Sequence, residues 1–182
     1  MGFDARVRYT KMVIRDAFIS LLKEKPLNKI TVKEICGLAE LNRATFYKYY
    51  SDPFDLLDHM EQEILSELRR SLKTSPGSFR EIFIFIMENI RAEGERYQTL
   101  FSEHGDSAFP RRIFSAYYDH IADDLRRQFP KLSPAQQEWL YYFSAQGCCG
   151  ILERWMHSGM NEPVEEVADF ADQLIAGLGS RL

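Results

Sequence analysis

The chain lacks any run of eighteen apolar residues, which excludes a membrane-spanning helix on length alone. Its opening residues, MGFDARVRYTK, hold no apolar secretory segment, so a cytoplasmic location is expected. Cysteine is scarce. Cys36, Cys148 and Cys149 form no CxxC pair and match no zinc spacing, and an odd count in a cytosolic chain implies reduced thiols. Cys36 falls on the apolar face of a predicted helix and reads as a small core residue. The four histidines, His59, His104, His120 and His157, are scattered, and none stands four residues from another histidine or a cysteine. The carboxylate pairs Asp123-Asp124 and Glu165-Glu166 are adjacent, so their members point to different sides of a helix and are expected in solvent. The GxxG at 147–150 has no following lysine and lies inside a helical pattern, unlike a phosphate loop. A nucleophile elbow and a metal motif are also missing. These absences argue against an enzyme, and neither a cofactor nor a metal is expected.

Strand patterns are missing too. The one alternating run, FIFIM at 83–87, is embedded in helical flanks. What remains is helical periodicity, and an all-α fold of about nine helices is predicted. Ile14, Ala17, Phe18, Leu21 and Leu22 mark one buried face of a first helix, which starts between Arg6 and Thr10 and stops before Pro26. Thr31 is the expected N-cap of a second helix bearing Val32, Ile35, Cys36 and Ala39 on its inner face. Asn42 is the expected N-cap of a third, running to about Tyr49. Ser51 or Asp52 caps a fourth, with Pro53 in its first turn and Leu57, Met60, Ile64 and Leu68 as its stripe. After the turn cluster TSPGS at 74–78, further helices are predicted near 79–92, 94–104, 107–129, 133–158 and 162–178. Pro130, Pro134 and Pro163 separate the later ones, and Ser133 and Asn161 are candidate caps.

Charge is distributed unevenly. The formal net charge of −4 disfavours nucleic acid as a partner, yet residues 1–50 carry a net +5 and residues 51–182 a net −9. A basic head on an acidic body fits a DNA-binding domain at 1–51 followed by a domain of another purpose at 52–182. Within the head, residues 31–57 read TVKEICGLAELNRATFYKYYSDPFDLL, two short amphipathic helices joined by a tight turn that Leu41 plugs. That is a helix-turn-helix, whose second helix is suited to a DNA major groove. With Phe46 and Tyr50 facing inward, Arg43, Ala44, Tyr47 and Lys48 are left outward. Arg43 suits a guanine edge, and Ala44 or the Thr45 methyl suits a thymine methyl. The hydroxyls of Tyr47 and Tyr49 suit phosphate oxygens, and Lys33 and Lys48 add salt-dependent attraction. Thr31 and Asn42 sit at helix N-termini, where caps form and amides favour a phosphate. Each of these residues alone has an ordinary reading as a cap, a packed ring or a solvated charge. Their concentration in one short basic unit carries the DNA reading.

Residues 10–57 resemble the DNA-binding domain of TetR-family transcriptional regulators. The resemblance rests on Thr31, Ile35, Ala39, Leu41, the TFYKYY run and the Leu56-Leu57 pair. It implies phosphate contacts for Thr45, Tyr47 and Tyr49, and base or backbone contacts for Arg43, Ala44 and Lys33. Two positions depart from the family. Glu40 stands in the turn where glycine is usual, and Pro53 replaces a phosphate-binding lysine, a role that Lys48 is placed to take. The GILERWMHSGM segment and the acidic helix after it resemble the C-terminal region of a subgroup that includes dihydroxyacetone-kinase regulators.

One three-helix reader grips little DNA, so two readers on a palindromic operator are expected. The helices near 133–158 and 162–178 are the candidates for a homodimer interface. The first has small residues at 147–150 that would admit another helix closely, and the alternative is that both are plain core helices. The aromatic-rich middle would enclose an apolar or aromatic effector in a TetR relative, with Tyr97, Phe101, Tyr117 and Trp155 as candidate contacts. The expected function is a ligand-responsive repressor released from its operator by that effector. Two rivals stay open: a regulator of the same fold controlled by a protein coactivator, and a helical enzyme or binding module whose helix-turn-helix is accidental.

Overall fold

A computed structural model describes residues 2–72, 77–102, 104–106 and 108–179, so part of the TSPGS cluster lies outside the described residues. The described residues form ten α-helices and one 3-10 turn, with no strand; the FIFIM run is inside a helix. The chain divides into two compact units, one of Met1–Ile64 with Thr99–Ser107, the other of Leu65–Gln98 with Ala108–Leu182.

In the first unit, α1 (Gly2–Glu24) presents Ile14, Phe18 and Leu22 inward, all fully buried. Four-residue spacing aligns them on one face. Pro26 prevents its continuation, and a single 3-10 turn, Leu27–Lys29, leads to α2 (Val32–Leu38). Helix α3 (Arg43–Tyr47) follows, then α4 (Pro53–Leu72), whose residues up to Ile64 belong to this unit. Ile35, Phe46, Leu56 and Tyr50 complete a small core. Each such side chain contributes on the order of 1.5–3 kcal/mol by leaving water. Asp52, one of the two predicted caps, accepts the amides of Phe54 and Asp55 at 2.8 and 2.9 Å. Pro53 is therefore a first-turn residue with no amide to satisfy. Arg15 of α1 pairs with Glu63 of α4, clamping the first helix to the fourth. The 99–107 segment joins this unit through His104, whose Nδ1 meets the Leu22 carbonyl at 3.0 Å while its own carbonyl accepts from the Leu27 amide at 3.3 Å. Leu22 lies in the last turn of α1, where carbonyls have no helical partner.

The second unit contains α5 (Phe79–Ala92), most of α6 (Gly94–Leu100), α7 (Phe109–Ala116), α8 (Tyr118–Gln128), α9 (Pro134–His157) and α10 (Val164–Gly179). Its core holds Phe79, Phe83, Ile86 and Ile90 of α5 with Phe109, Phe114, Leu125, Leu152 and Ala168. Helix α10 packs chiefly on α5, and Arg80 pairs with Asp169 across that contact.

Several details differ from expectation. Helix α1 begins at Gly2, ahead of the predicted start between Arg6 and Thr10. The helix expected over 107–129 is two, broken at Tyr117, whose backbone (φ −105°, ψ 7°) leaves the helical region. The sixth helix stops at Leu100, short of the predicted 104. Asn161 does not cap α10; its amide donates to the Ser158 carbonyl at 2.6 Å, closing the end of α9, while Ser133 caps α9 as predicted in a capping box with Gln136. Asp124 is buried, not solvated. It accepts the Phe79 amide at 2.9 Å, so a side chain from α8 caps α5.

Candidate nucleic-acid interface

The turn between α2 and α3 sets the geometry of the reader. Glu40 takes the left-handed conformation, φ 53°, and the Leu41 amide donates back to the Cys36 carbonyl at 3.0 Å. This is a Schellman closure, normally built on glycine. The departure from glycine has therefore left the turn's conformation in place, at the strain of a side chain with positive φ.

Thr31 starts α2 with a full capping box: its hydroxyl accepts the Glu34 amide, and the Glu34 carboxylate accepts the Thr31 amide at 3.0 Å. The same carboxylate takes the Lys25 ammonium at 2.5 Å. Lys25 first, then the Thr31 hydroxyl and amide, hold the Glu34 carboxyl down to about 2. The Thr31 hydroxyl also donates to Glu34 at 2.7 Å, so its capping role is filled and a phosphate would have to compete for it.

Asn42 caps α3 as predicted, its Oδ1 accepting the Thr45 amide at 2.8 Å and the Thr45 hydroxyl at 3.0 Å. The helix is shorter than expected, because Lys48 is already its C-cap and Tyr49 and Tyr50 follow in a turn. Phe46 is fully buried and Tyr50 nearly so, their rings 5.7 Å apart. Arg43, Ala44, Tyr47 and Lys48 are exposed on the other side, and Thr45 and Tyr49 are half-buried. Lys33 is exposed on α2. The nine predicted positions thus fall on α2, α3 and the turn after it, with Phe46 and Tyr50 fixing the tilt of the outward set.

One cation was not legible in the motif. Lys11, on α1, stands 6.0 Å from the centre of the Tyr49 ring, while Lys48 stands 5.6 Å from it. Nothing local in the sequence marks Lys11; only the packing of the head brings it there. The Cys36 thiol is buried, and desolvation raises its pKa, opposed by the charge of Arg43.

The effector candidates are placed less favourably. Tyr97, Phe101, Tyr117 and Trp155 are all buried. The Trp155 indole N–H donates to the Glu162 carbonyl at 3.0 Å, a role internal to the α9–α10 connection. The Tyr117 hydroxyl is buried without a hydrogen-bond partner among the described residues, and desolvation, with a smaller contribution from Tyr97, raises its pKa. None of the four lines the concavity of about 300 Å³ on α7, α8 and α9. Among the described residues no group of three metal-ligating side chains gathers, and no helix is long and apolar enough to cross a membrane.

Residues 77–177 match the TetR_C_8 family model, described as the transcriptional regulator C-terminal region. A curated relative, the uncharacterized HTH-type transcriptional regulator YxbF of Bacillus subtilis (strain 168), is 30% identical over 59 residues, 32% of this chain and 16% of that protein. The chain thus spans a small part of that relative's length. A TetR transcriptional regulator from Streptococcus agalactiae 2603V has a TM-score of 0.73 at 26% identity, covering 96% of this chain and 98% of that one. The dihydroxyacetone kinase operon activator DhaS shares the fold, with a TM-score of 0.65 at 18% identity over 95% of this chain and 97% of that one. An all-helical architecture, a helix-turn-helix in a basic head and a family match across more than half the sequence converge: this chain belongs to the TetR family of transcriptional regulators.

Proposed function

We propose that the protein is a cytoplasmic, homodimeric repressor whose two heads grip a palindromic operator, and which lets go when a small molecule binds the body. The observation that carries this reading is the segregation on α3. Arg43, Ala44, Tyr47 and Lys48 face outward, while Phe46 on the opposite side is fully buried. An arginine fork and the Tyr47 hydroxyl on the free face of α3 match what base edges and phosphates require. Thr31, Lys33, Asn42, Thr45 and Tyr49 serve as backbone contacts or as the caps that hold the reader.

Pairing is supported by the free face of the body. Trp139, Tyr142 and Phe143 on α9 and Phe170, Leu174 and Leu178 on α10 are all exposed. Gly147 and Gly150 on α9 have nothing within 4 Å of where a Cβ would stand, so a second helix has room to approach. Apolar faces of this kind are normally covered, and two helices from each copy would cover one another.

Repression is the simpler sign. Occupying an operator excludes polymerase without further contacts, whereas activation needs an added recruiting surface. The fold-level neighbour described as an operon activator makes activation, through a coactivator seated on the same apolar face, the rival. Release requires an effector that prefers one body shape over another. Sedimentation with and without duplex tests the reading: two chains in free solution and two per bound duplex are expected. A monomer with its apolar face free would favour the coactivator, and one chain per duplex would overturn the palindrome.

A further inference from the structure

We propose that the open groove on α7, α8 and α9 binds a small aromatic carboxylate. The groove has a volume of about 300 Å³, at the low end of ligand sites, which suits one or two fused rings and not a long acyl chain. Its chemistry differs from that of the surrounding body. Residues 51–182 carry a net −9, yet the lining contains Arg111 and Arg112 and no aspartate or glutamate. A concave cationic spot on an acidic body focuses the field on an anion.

The arginines are differently held. The Arg112 guanidinium lies 5.7 Å from the Phe109 ring centre, and its side chain is half-buried. Arg111 is exposed, and no ion pair among the described residues engages it. A guanidinium presents two parallel N–H donors, which match the two oxygens of a carboxylate.

Three tyrosines complete the lining. The Tyr141 hydroxyl donates to the Phe114 carbonyl at 3.2 Å, locking the ring. Tyr118 meets that ring edge-on at 4.6 Å and Tyr142 at 5.3 Å. A flat ligand can stack on or meet the edge of these rings at little entropic cost. Gln146 adds an amide at the groove margin.

The site also has a route to regulation, and here it rests on the regulator reading above. Tyr142 lines the groove and belongs to the exposed α9 face that also carries Trp139 and Phe143. An occupant that moves Tyr142 alters the surface offered to a second copy.

Titration calorimetry of the full chain with naphthoate, naphthamide and octanoate tests the site without DNA. Naphthoate should saturate one site per chain, and the neutral amide and the aliphatic acid should each bind at least about tenfold more weakly. Arg111→Gln should erase the preference for naphthoate over naphthamide while helicity and DNA affinity persist. Should that variant fold poorly, Ser115→Asp, which adds a negative charge to the exposed lining, should weaken naphthoate and spare naphthamide. The site is overturned if naphthoate fails to saturate by about 1 mM, if octanoate binds as tightly, or if a folded variant keeps the original preference. Naphthoate binding by a protein that ignores DNA would sink the regulator reading and leave the groove standing.

Discussion

The amide of Leu41 donates to the carbonyl of Cys36 at 3.0 Å, folding the chain over a glutamate at φ 53°. The bond terminates α2 and fixes where α3 begins. Left-handed backbone is open to glycine and costs an L-residue with a Cβ roughly 1–2 kcal/mol. Glu40→Gly should therefore raise stability by about 1 kcal/mol, the remainder being offset by glycine's greater freedom when unfolded. Glu40→Ala should change little, since alanine keeps the Cβ. Urea midpoints of the three proteins decide it; an alanine variant as stable as the glycine one would remove the backbone explanation.

A second stability prediction concerns Asp124. It caps α5 from α8 by accepting the Phe79 amide, and it also receives Arg127 at 3.1 Å and Gln128 at 3.0 Å. Asp124→Ala leaves a buried amide without a partner and should cost about 2 kcal/mol. Its exposed neighbour Asp123, which pairs with Arg126, should tolerate alanine with little loss. Equal effects would mean that the α8–α5 link carries no weight.

Acidification should undo the start of α2. Lys25 and Thr31 hold the Glu34 carboxyl at about 2, below its ordinary 4.5. A carboxyl whose folded pKa is depressed adds stability above its unfolded pKa and loses it as pH falls through the folded one. The stability gap between the parent and Glu34→Gln should be full above pH 4.5 and close as pH approaches about 2. Denaturation midpoints across that window measure it, and a gap that does not change with pH contradicts the pairing.

The reader should separate base from backbone contacts. Arg43→Ala should reduce discrimination at one or two base positions by about 1–3 kcal/mol each. Tyr49→Phe should weaken all duplexes alike, because phosphates carry no sequence. Competition between specific and random DNA distinguishes them; uniform weakening by Arg43→Ala would move that residue to the backbone.

What the sequence made legible was local. Capping chemistry marked Thr31, Asn42 and Ser133, and narrowed the fourth helix to Ser51 or Asp52, because a cap needs only a few neighbouring residues to be recognised; Asn161, also marked, closes α9 instead. Four-residue apolar spacing gave Ile14, Phe18 and Leu22 for the same reason. Long-range placements were not legible. Asp124 looked solvated because its value lies in meeting an amide from another helix, and Lys11 looked ordinary because only packing sets it beside Tyr49. The break at Tyr117 also escaped, since no proline or glycine marks it. In the body, aromatic composition pointed to Tyr97, Phe101, Tyr117 and Trp155, all of which are buried. The groove lies elsewhere, on α7–α9, where Arg111 and Tyr141 both line it from different helices.

The central claim is that two identical heads lay an arginine-bearing helix into DNA. Selecting bound fragments from random duplexes, followed by sequencing, tests it most directly. The account predicts an inverted repeat with half-sites spaced for two reading helices about 34–36 Å apart, or a multiple of that spacing, and an affinity that falls as salt rises. Recovery of fragments without two-fold symmetry, or no retention of any duplex in dilute salt, would contradict it.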